Sequence, residues 1–345
     1  MSKDNKSKFV SVDCGKYNTK FDSLIDGSIK SATLRTKMSP GQFDDDMLEK
    51  YSYIVRVDDG ETYKIGQAAT RGAELETSKQ TEIHKVCTMS AIAMHLGQST
   101  DKVNVGIGIP FLLGTDAAQR NEYKDYILPP DHHKVEIKRS ASSDPIIIEF
   151  DFDKRYVFPE GAGVLYEYPE LLSDISGVID IGNLNLNALY SCHLEPMPEN
   201  SFTDEIGGNR LISNLSRKLS SSIGMRVDDQ VTAAVLKKEG SDRCLVPRNG
   251  DENVIQTSRE IIDSYLMEFA EDIKAALDSR QWPTGFMSMV AIGGTPRLFK
   301  KELSEVFPGI FIPDMPDHVN AKGVLRRICQ LNGIDLSQYE VSDSQ

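Results

Sequence analysis

Two stretches of the sequence follow one pattern. Val10-Ser11-Val12-Asp13-Cys14-Gly15-Lys16-Tyr17-Asn18-Thr19-Lys20 stands near the N-terminus, and Gly177-Val178-Ile179-Asp180-Ile181-Gly182-Asn183-Leu184-Asn185-Leu186-Asn187 in the middle. Each is an apolar β run, an Asp-x-Gly turn, small polar residues and a second β run. That order predicts a strand, a tight turn and a strand, with a carboxylate and several backbone N–H groups at one hairpin tip. Glycine lets a backbone come close to a phosphate, and turn N–H groups form an anion nest. An aspartate there repels phosphate, so its sensible role is to hold a hydrated Mg²⁺ that bridges to it. Lys20 sits where the returning strand aims an ammonium at phosphate oxygens. A single Asp-x-Gly hairpin needs no ligand to explain it. Two copies, one in each half, point to two related domains on either side of a phosphate chain.

The bulk numbers fit that picture. At 345 residues the chain is long for one core, so two domains are expected. A hydrophobic content of 39% and a charged content of 26% are those of a globular protein in water. The five cysteines contain no CxxC pair, which argues against a zinc site or a disulfide framework and for a reducing compartment. Met1–Lys8 is polar, and no apolar run approaches the ~20 residues that span a bilayer. A cytoplasmic protein without a membrane partner is expected. The net charge of −13 opposes direct contact with nucleic acid, so any DNA would be reached through an adaptor.

Along the chain, residues 8–35 alternate as strands, with Asp26-Gly27 as a hairpin turn. Residues 36–70 read as a small strand-rich insert. Helices are predicted over 77–97, Thr115–Leu128, Leu165–Leu172, 208–223, Ser258–Ser279, 297–306 and 319–331. Strands are predicted at 103–109, 133–138, 145–150, 177–182, 184–192 and 287–292. The tail from Asp335 is polar and expected to fray.

Two further segments bear on chemistry. Ile292-Gly293-Gly294-Thr295-Pro296-Arg297 joins an apolar strand to a helix, a turn that suits a nucleotide or plain packing. In Pro159-Glu160-Gly161-Ala162-Gly163 a glutamate follows a β run at a natural crossover between domains. It stands either in a plain surface loop or where a carboxylate orients water toward a terminal phosphate. No Walker loop and no G-x-G-x-x-G occur. Trp282 reads as packing.

The order of these segments resembles the actin/Hsp70/sugar-kinase ATPase superfamily. Val12–Lys20 and Val178–Asn187 resemble its two phosphate loops, Val157–Gly163 its first interdomain connection, and Met289–Arg297 its adenosine loop. Asp317–Gly323 resembles its second connection. Asp-x-Gly-x-x-Asn-x-Lys at Asp13–Lys20, Gly106–Pro110, Pro159-Glu160 and Glu205–Leu211 are most similar to bacterial plasmid-segregating actins of the ParM type. The chain departs from that pattern at Cys14, at Leu184, where a hydroxyl residue is usual, and at Thr295-Pro296, where a third glycine is common.

The resemblance implies an α/β, actin-like (ribonuclease H-like, duplicated) two-domain fold with a nucleotide in the interdomain cleft. Domain I would be 1–160 plus 318–345, with the 36–70 insert. Domain II would be 161–317, with an insert at about 195–257. It implies a filament that hydrolyses ATP or GTP upon polymerisation and segregates plasmid or other DNA through an adaptor bound to a centromere-like site. Gly15, Asn18, Thr19, Lys20, Gly182 and Asn183 would cradle phosphates. Gly208, Lys238, Glu239, Gly293, Gly294 and Thr295 would line the nucleoside. Asp13 and Asp180 would order Mg²⁺ through water, with Glu160 and Asp180 aligning the attacking water. A small-molecule kinase of the superfamily and a non-catalytic scaffold of cell division or pilus assembly are the alternatives. The choice between adenine and guanine stays open.

Overall fold

The computed structural model describes residues 7–341 apart from 46–47, 74–77, 98–100, 111–113, 115 and 173. The chain divides into two compact units, Met1–Tyr168 with His318–Gln345, and Pro169–Asp317.

In the first unit β1 (Lys8–Cys14) pairs antiparallel with β2 (Asn18–Ile25), which pairs with β3 (Ser28–Arg35). The β2–β3 turn places Asp26 and Gly27 both at positive φ (52° and 81°), the primed-turn geometry that matches strand twist. Next come β4 (Lys37–Pro40), β5 (Ser52–Val57), β6 (Thr62–Gly66), β7 (Arg71–Gly72), α1 (Glu82–Leu96), β8 (Asp101–Ile109), α2 (Ala117–Ile127), β9 (His133–Lys138), β10 (Ile146–Pro159) and α3 (Gly163–Glu167).

The second unit holds β11 (Ile175–Ile181), β12 (Leu186–Cys192), β13 (Glu195–Pro196), β14 (Phe202–Asp204), α4 (Gly208–Ile223), α5 (Asp229–Leu236), α6 (Glu252–Ser279), β15 (Ser288–Ile292) and α7 (Lys300–Val306). The chain then returns to the first unit with α8 (Val319–Leu331) and β16 (Glu340–Val341).

The first unit is built on one sheet, β16-β3-β2-β1-β8-β10-β9-β5-β6-β4-β7, with β1 parallel to β8 and β8 parallel to β10. β1 is buried along its whole length, which is why it reads as a near-continuous apolar run. Its alternate residues serve two cores. Val10 and Val12 join the cluster that holds Val86, Met89 and Ile92 of α1, while Phe9 joins Val324, Leu325 and Ile328 of α8. Glycines set the α8 face. A Cβ on Gly106 would lie 2.6 Å from Val324, and one on Gly323 would lie 1.9 Å from the Gly163 carbonyl oxygen. The α3 and α8 backbones thus meet directly. This places the unit's boundary at Tyr168, after α3, rather than near residue 160.

Strands β4 to β7 are not a separate insert. Ile54–Val57 pair with Val135–Lys138 of β9 and so extend the main sheet. Residues 145–150, read as one short strand, open a 14-residue β10 that runs to Pro159. The helix expected over 77–97 spans 82–96 and stops at Gly97 (φ 69°). Thr115 and Ser342–Gln345 lie outside the described residues.

The second unit carries the sheet β13-β12-β11-β15, with β14 added on β12. Ile179 and Ile181 of β11 pack in one core with Leu211 and Leu215 of α4 and with Ile262, Phe269 and Ile273 of α6. Helix α6 starts six residues before the expected Ser258, because Asp251 caps it by accepting from Asn253 N. Trp282 is core, edge-on to Tyr190 and Phe202, with its Nε1–H on the Asn200 carbonyl.

Candidate functional site

Antiparallel register decides which side chains of the first hairpin share a face. Asp13 lies opposite Lys20, and Cys14 opposite Thr19. Directly paired residues project to the same side, so the carboxylate and the ammonium emerge together, Lys20 Nζ standing 3.7 Å from Asp13 Oδ2.

Thr19 points the other way and is fully buried. Its hydroxyl lies 3.1 Å from Cys14 Sγ and 2.9 Å from Thr36 Oγ1, and Thr36 donates to the Gly15 carbonyl at 2.7 Å. The Thr19 side chain thus braces the turn from beneath. Burial pushes the Cys14 thiol up, so it sits there as a neutral packing group.

Gly15 closes the turn with its own amide, donating to Asn18 O at 3.0 Å. A Cβ here would meet that oxygen at 2.8 Å. Gly15 therefore admits close approach rather than lending its N–H. Arg35 lies over the Tyr17 ring and donates to the Tyr17 carbonyl and to Asn18 Oδ1, which fixes the exposed tip of the loop.

Glu160 follows β10, its amide donating to Ile109 O. A Cβ on Gly108 would stand 3.6 Å from Asp13 Oδ1 and 3.8 Å from Glu160 Cγ. The bare glycine thus separates two carboxylates on one face of the sheet. Lys79, which no motif marks, donates its Nζ to Glu160 Oε1, and both side chains are nearly buried. Burial alone would lower the Lys79 pKa, but the charges of Glu160 and Asp13 outweigh it and hold the ammonium well above its ordinary value. The first unit thus gathers Asp13, Lys20, Glu160 and Lys79.

In the second unit the second hairpin turn repeats the first. Gly182 N donates to Asn185 O at 2.9 Å, as Gly15 does to Asn18. Here the turn is tied down further. Gly208 N donates to Gly182 O and Asn209 N to Asn183 O, so the N-terminus of α4 spends these two amides on the loop. Thr295 Oγ1 donates to Gly182 O at 2.8 Å, and a Cβ on Gly208 would lie 2.6 Å from that hydroxyl. Thr295 and Gly208, expected to line a nucleoside, are braces of the second turn. Gly293 (φ 95°) lies against Asp180, where a Cβ would stand 2.6 Å from Oδ1, whereas Gly294 faces open space.

Lys238 and Glu239 are exposed beyond α5. Lys238 borders a cavity of about 430 Å³ with Val231, Val235, Leu245 and Val254, and no other expected site residue lines it. The second unit brings Asp180, Gly182, Asn183, Gly208, Gly293 and Thr295 together. Among the described residues no group of three or more His, Cys, Asp or Glu side chains forms a metal cluster. The single carboxylates Asp13 and Asp180 suit a Mg²⁺ held through water, not a caged ion.

Residues 11–163 match the family model "Actin like proteins N terminal domain". The fold is actin-like. Ta0583, an archaeal actin homolog solved in complex with ADP, is 20% identical over 94% of this chain and 99% of its own, with a TM-score of 0.69. The Alp12 filament structure is 21% identical over 95% of this chain and 100% of its own, with a TM-score of 0.70. A 15-stranded ParM filament from Clostridium botulinum is 17% identical over 94% of this chain and 99% of its own, with a TM-score of 0.67. No curated protein sequence matches the chain. The resemblance to ParM-type actins and the expected actin-like α/β fold are borne out.

Proposed function

We propose that the chain is an actin-like, filament-forming NTPase that binds Mg²⁺ with ATP or GTP and moves plasmid or other DNA. The observation that carries this reading is the repeated hairpin. Each unit holds a strand whose penultimate residue is aspartate, then a glycine turn closed by the same amide-to-carbonyl bond, with a bare glycine beside the aspartate, Gly108 or Gly293. The ADP complex and the filaments of similar structures support it.

In this reading the phosphates lie along the two turns, where Gly15 and Gly182 allow close approach and Lys20 and Asn18 meet oxygens. Asp13 and Asp180 hold metal-bound waters, and the metal, when bound, neutralises charge that develops on the phosphates. Glu160 and Asp180 align the attacking water. Assembly favours the hydrolytic arrangement, and loss of the terminal phosphate removes the contacts that favour assembly. Copies associate through a heterologous, non-closing contact. With a net charge of −13 the filament reaches DNA through a basic adaptor bound to a centromere-like site. The cytoplasm is its place of work; among the described residues no helix is long and apolar enough to cross a membrane.

Light scattering and pelleting with Mg²⁺ and ATP or GTP test the reading. The expected result is a nucleotide-dependent polymer whose disassembly is slowed by Glu160→Ala. Absence of polymer across salt and concentration sinks it. Turnover that needs an added sugar, without polymer, points to the kinase alternative, and calorimetry without nucleotide binding points to the scaffold.

A further inference from the structure

The Lys79–Glu160 pair is an enclosed charged contact in the first unit whose lysine the proposed chemistry leaves unused. Both side chains are only 10% exposed. Lys79 reaches the pair from the short segment before α1, Glu160 from the end of β10, so the contact ties two distant parts of the chain. Tyr123 of α2 borders the same space, its hydroxyl donating to Gly108 O at 3.3 Å, and its own ionisation is suppressed by burial. Asp13 and its partner Lys20 lie across Gly108. A carboxylate at this depth is free to swing toward water unless a bonded group holds it. The lysine on Oε1 restricts that swing.

We propose that Lys79 is the positioning residue for Glu160, holding its carboxylate in one orientation so that turnover, but not nucleotide binding, depends on it. The inference rests on the reading of Glu160 as the group that aligns the attacking water. It also deepens that reading. With Oε1 taken by the ammonium, the other carboxylate oxygen is the one that orients and polarises the water. Lys79 touches neither water nor phosphate in this scheme.

The test is steady-state turnover of the full-length protein with Mg²⁺ and whichever of ATP or GTP supports polymer. The proteins compared are wild type, Lys79→Met, Lys79→Arg, Glu160→Gln and the double variant Lys79→Met with Glu160→Gln. Lys79→Met is expected to lower kcat by about 10-fold or more with KM nearly unchanged, and Lys79→Arg to recover part of the loss. The double variant, whose buried pair is neutral, is expected to melt close to wild type and to turn over no more slowly than Glu160→Gln alone. Wild-type kcat in Lys79→Met beside an inactive Glu160→Gln overturns the role of Lys79 and leaves that of Glu160 standing. A loss in the double variant that multiplies the two single losses shows that Lys79 acts independently of Glu160 and also overturns it. Wild-type turnover in Glu160→Gln overturns the reading of Glu160 and the inference with it. If Lys79→Met does not melt cooperatively, Lys79→Arg and the double variant carry the comparison.

Discussion

At the scale of single residues, the backbone decides more than the side chains do. Gly293 is held at φ 95° with the Ile181 carbonyl oxygen 2.5 Å from where a Cβ would stand. Gly293→Ala is expected to cost about 1–3 kcal/mol and to weaken nucleotide binding, as read by urea unfolding and by calorimetry. Gly294→Ala, which meets open space, is expected to change stability much less and serves as the control. His84 shows a different constraint. It is buried, its Nδ1 lies 2.7 Å from Thr81 Oγ1, and burial, with the charges of Lys79 and Lys16, lowers its pKa from 6.5 to about 3. The unfolded chain binds the proton below pH 6.5 and the fold only below about 3. The stabilisation is therefore complete above 6.5 and is lost as pH falls through that window, by about 1.4 kcal/mol per pH unit for this one proton. Replacing His84 with Gln is expected to flatten the pH dependence of urea unfolding between pH 6 and about 4. An unchanged slope would show that other groups dominate it.

At the scale of elements, legibility followed the chemistry of each segment. Periodic apolar runs with clear stops were readable, so α4 and α8 lie at the predicted residues. The two Asp-x-Gly hairpins were readable because a glycine turn between β runs has few other uses. Which of their residues would be consumed by the loop itself was not. Thr19 and Thr295 are small polar residues in phosphate-like turns, and only strand register and the packing of Thr36 or α4 show that their hydroxyls face inward. Lys79 left no trace in the sequence, since its partner lies 81 residues away. Helix α3 was read with the second half because nothing local shows that Gly163 meets Asn320 and Gly323. That contact yields a prediction. Gly323→Ala is expected to destabilise the first unit by about 1–3 kcal/mol or more, because backbone on both sides must part. Calorimetric unfolding would read it, and an unchanged Tm would refute the packing described.

At the scale of the whole molecule, charge governs association. Each copy carries −13, so the proposed filament would concentrate like charge, and screening at about 0.15 M salt shortens its reach to about 8 Å. The critical concentration is expected to fall as salt rises from a few millimolar to that level, measured by pelleting. A rise instead would mean that ion pairs between copies dominate. The chain itself should not retard DNA in a gel shift at physiological salt. Finally, the return of α8 to the first unit has a consequence for synthesis on the ribosome. Phe9, Leu24, Ile29 and Phe158 await Val324, Leu325 and Ile328 as their cover. The intervening residues 169–317 take roughly 7–30 s to make at about 5–20 residues per second. During that interval an apolar sheet face stands open on a nascent chain, exposed to aggregation until the last helix emerges to cover it.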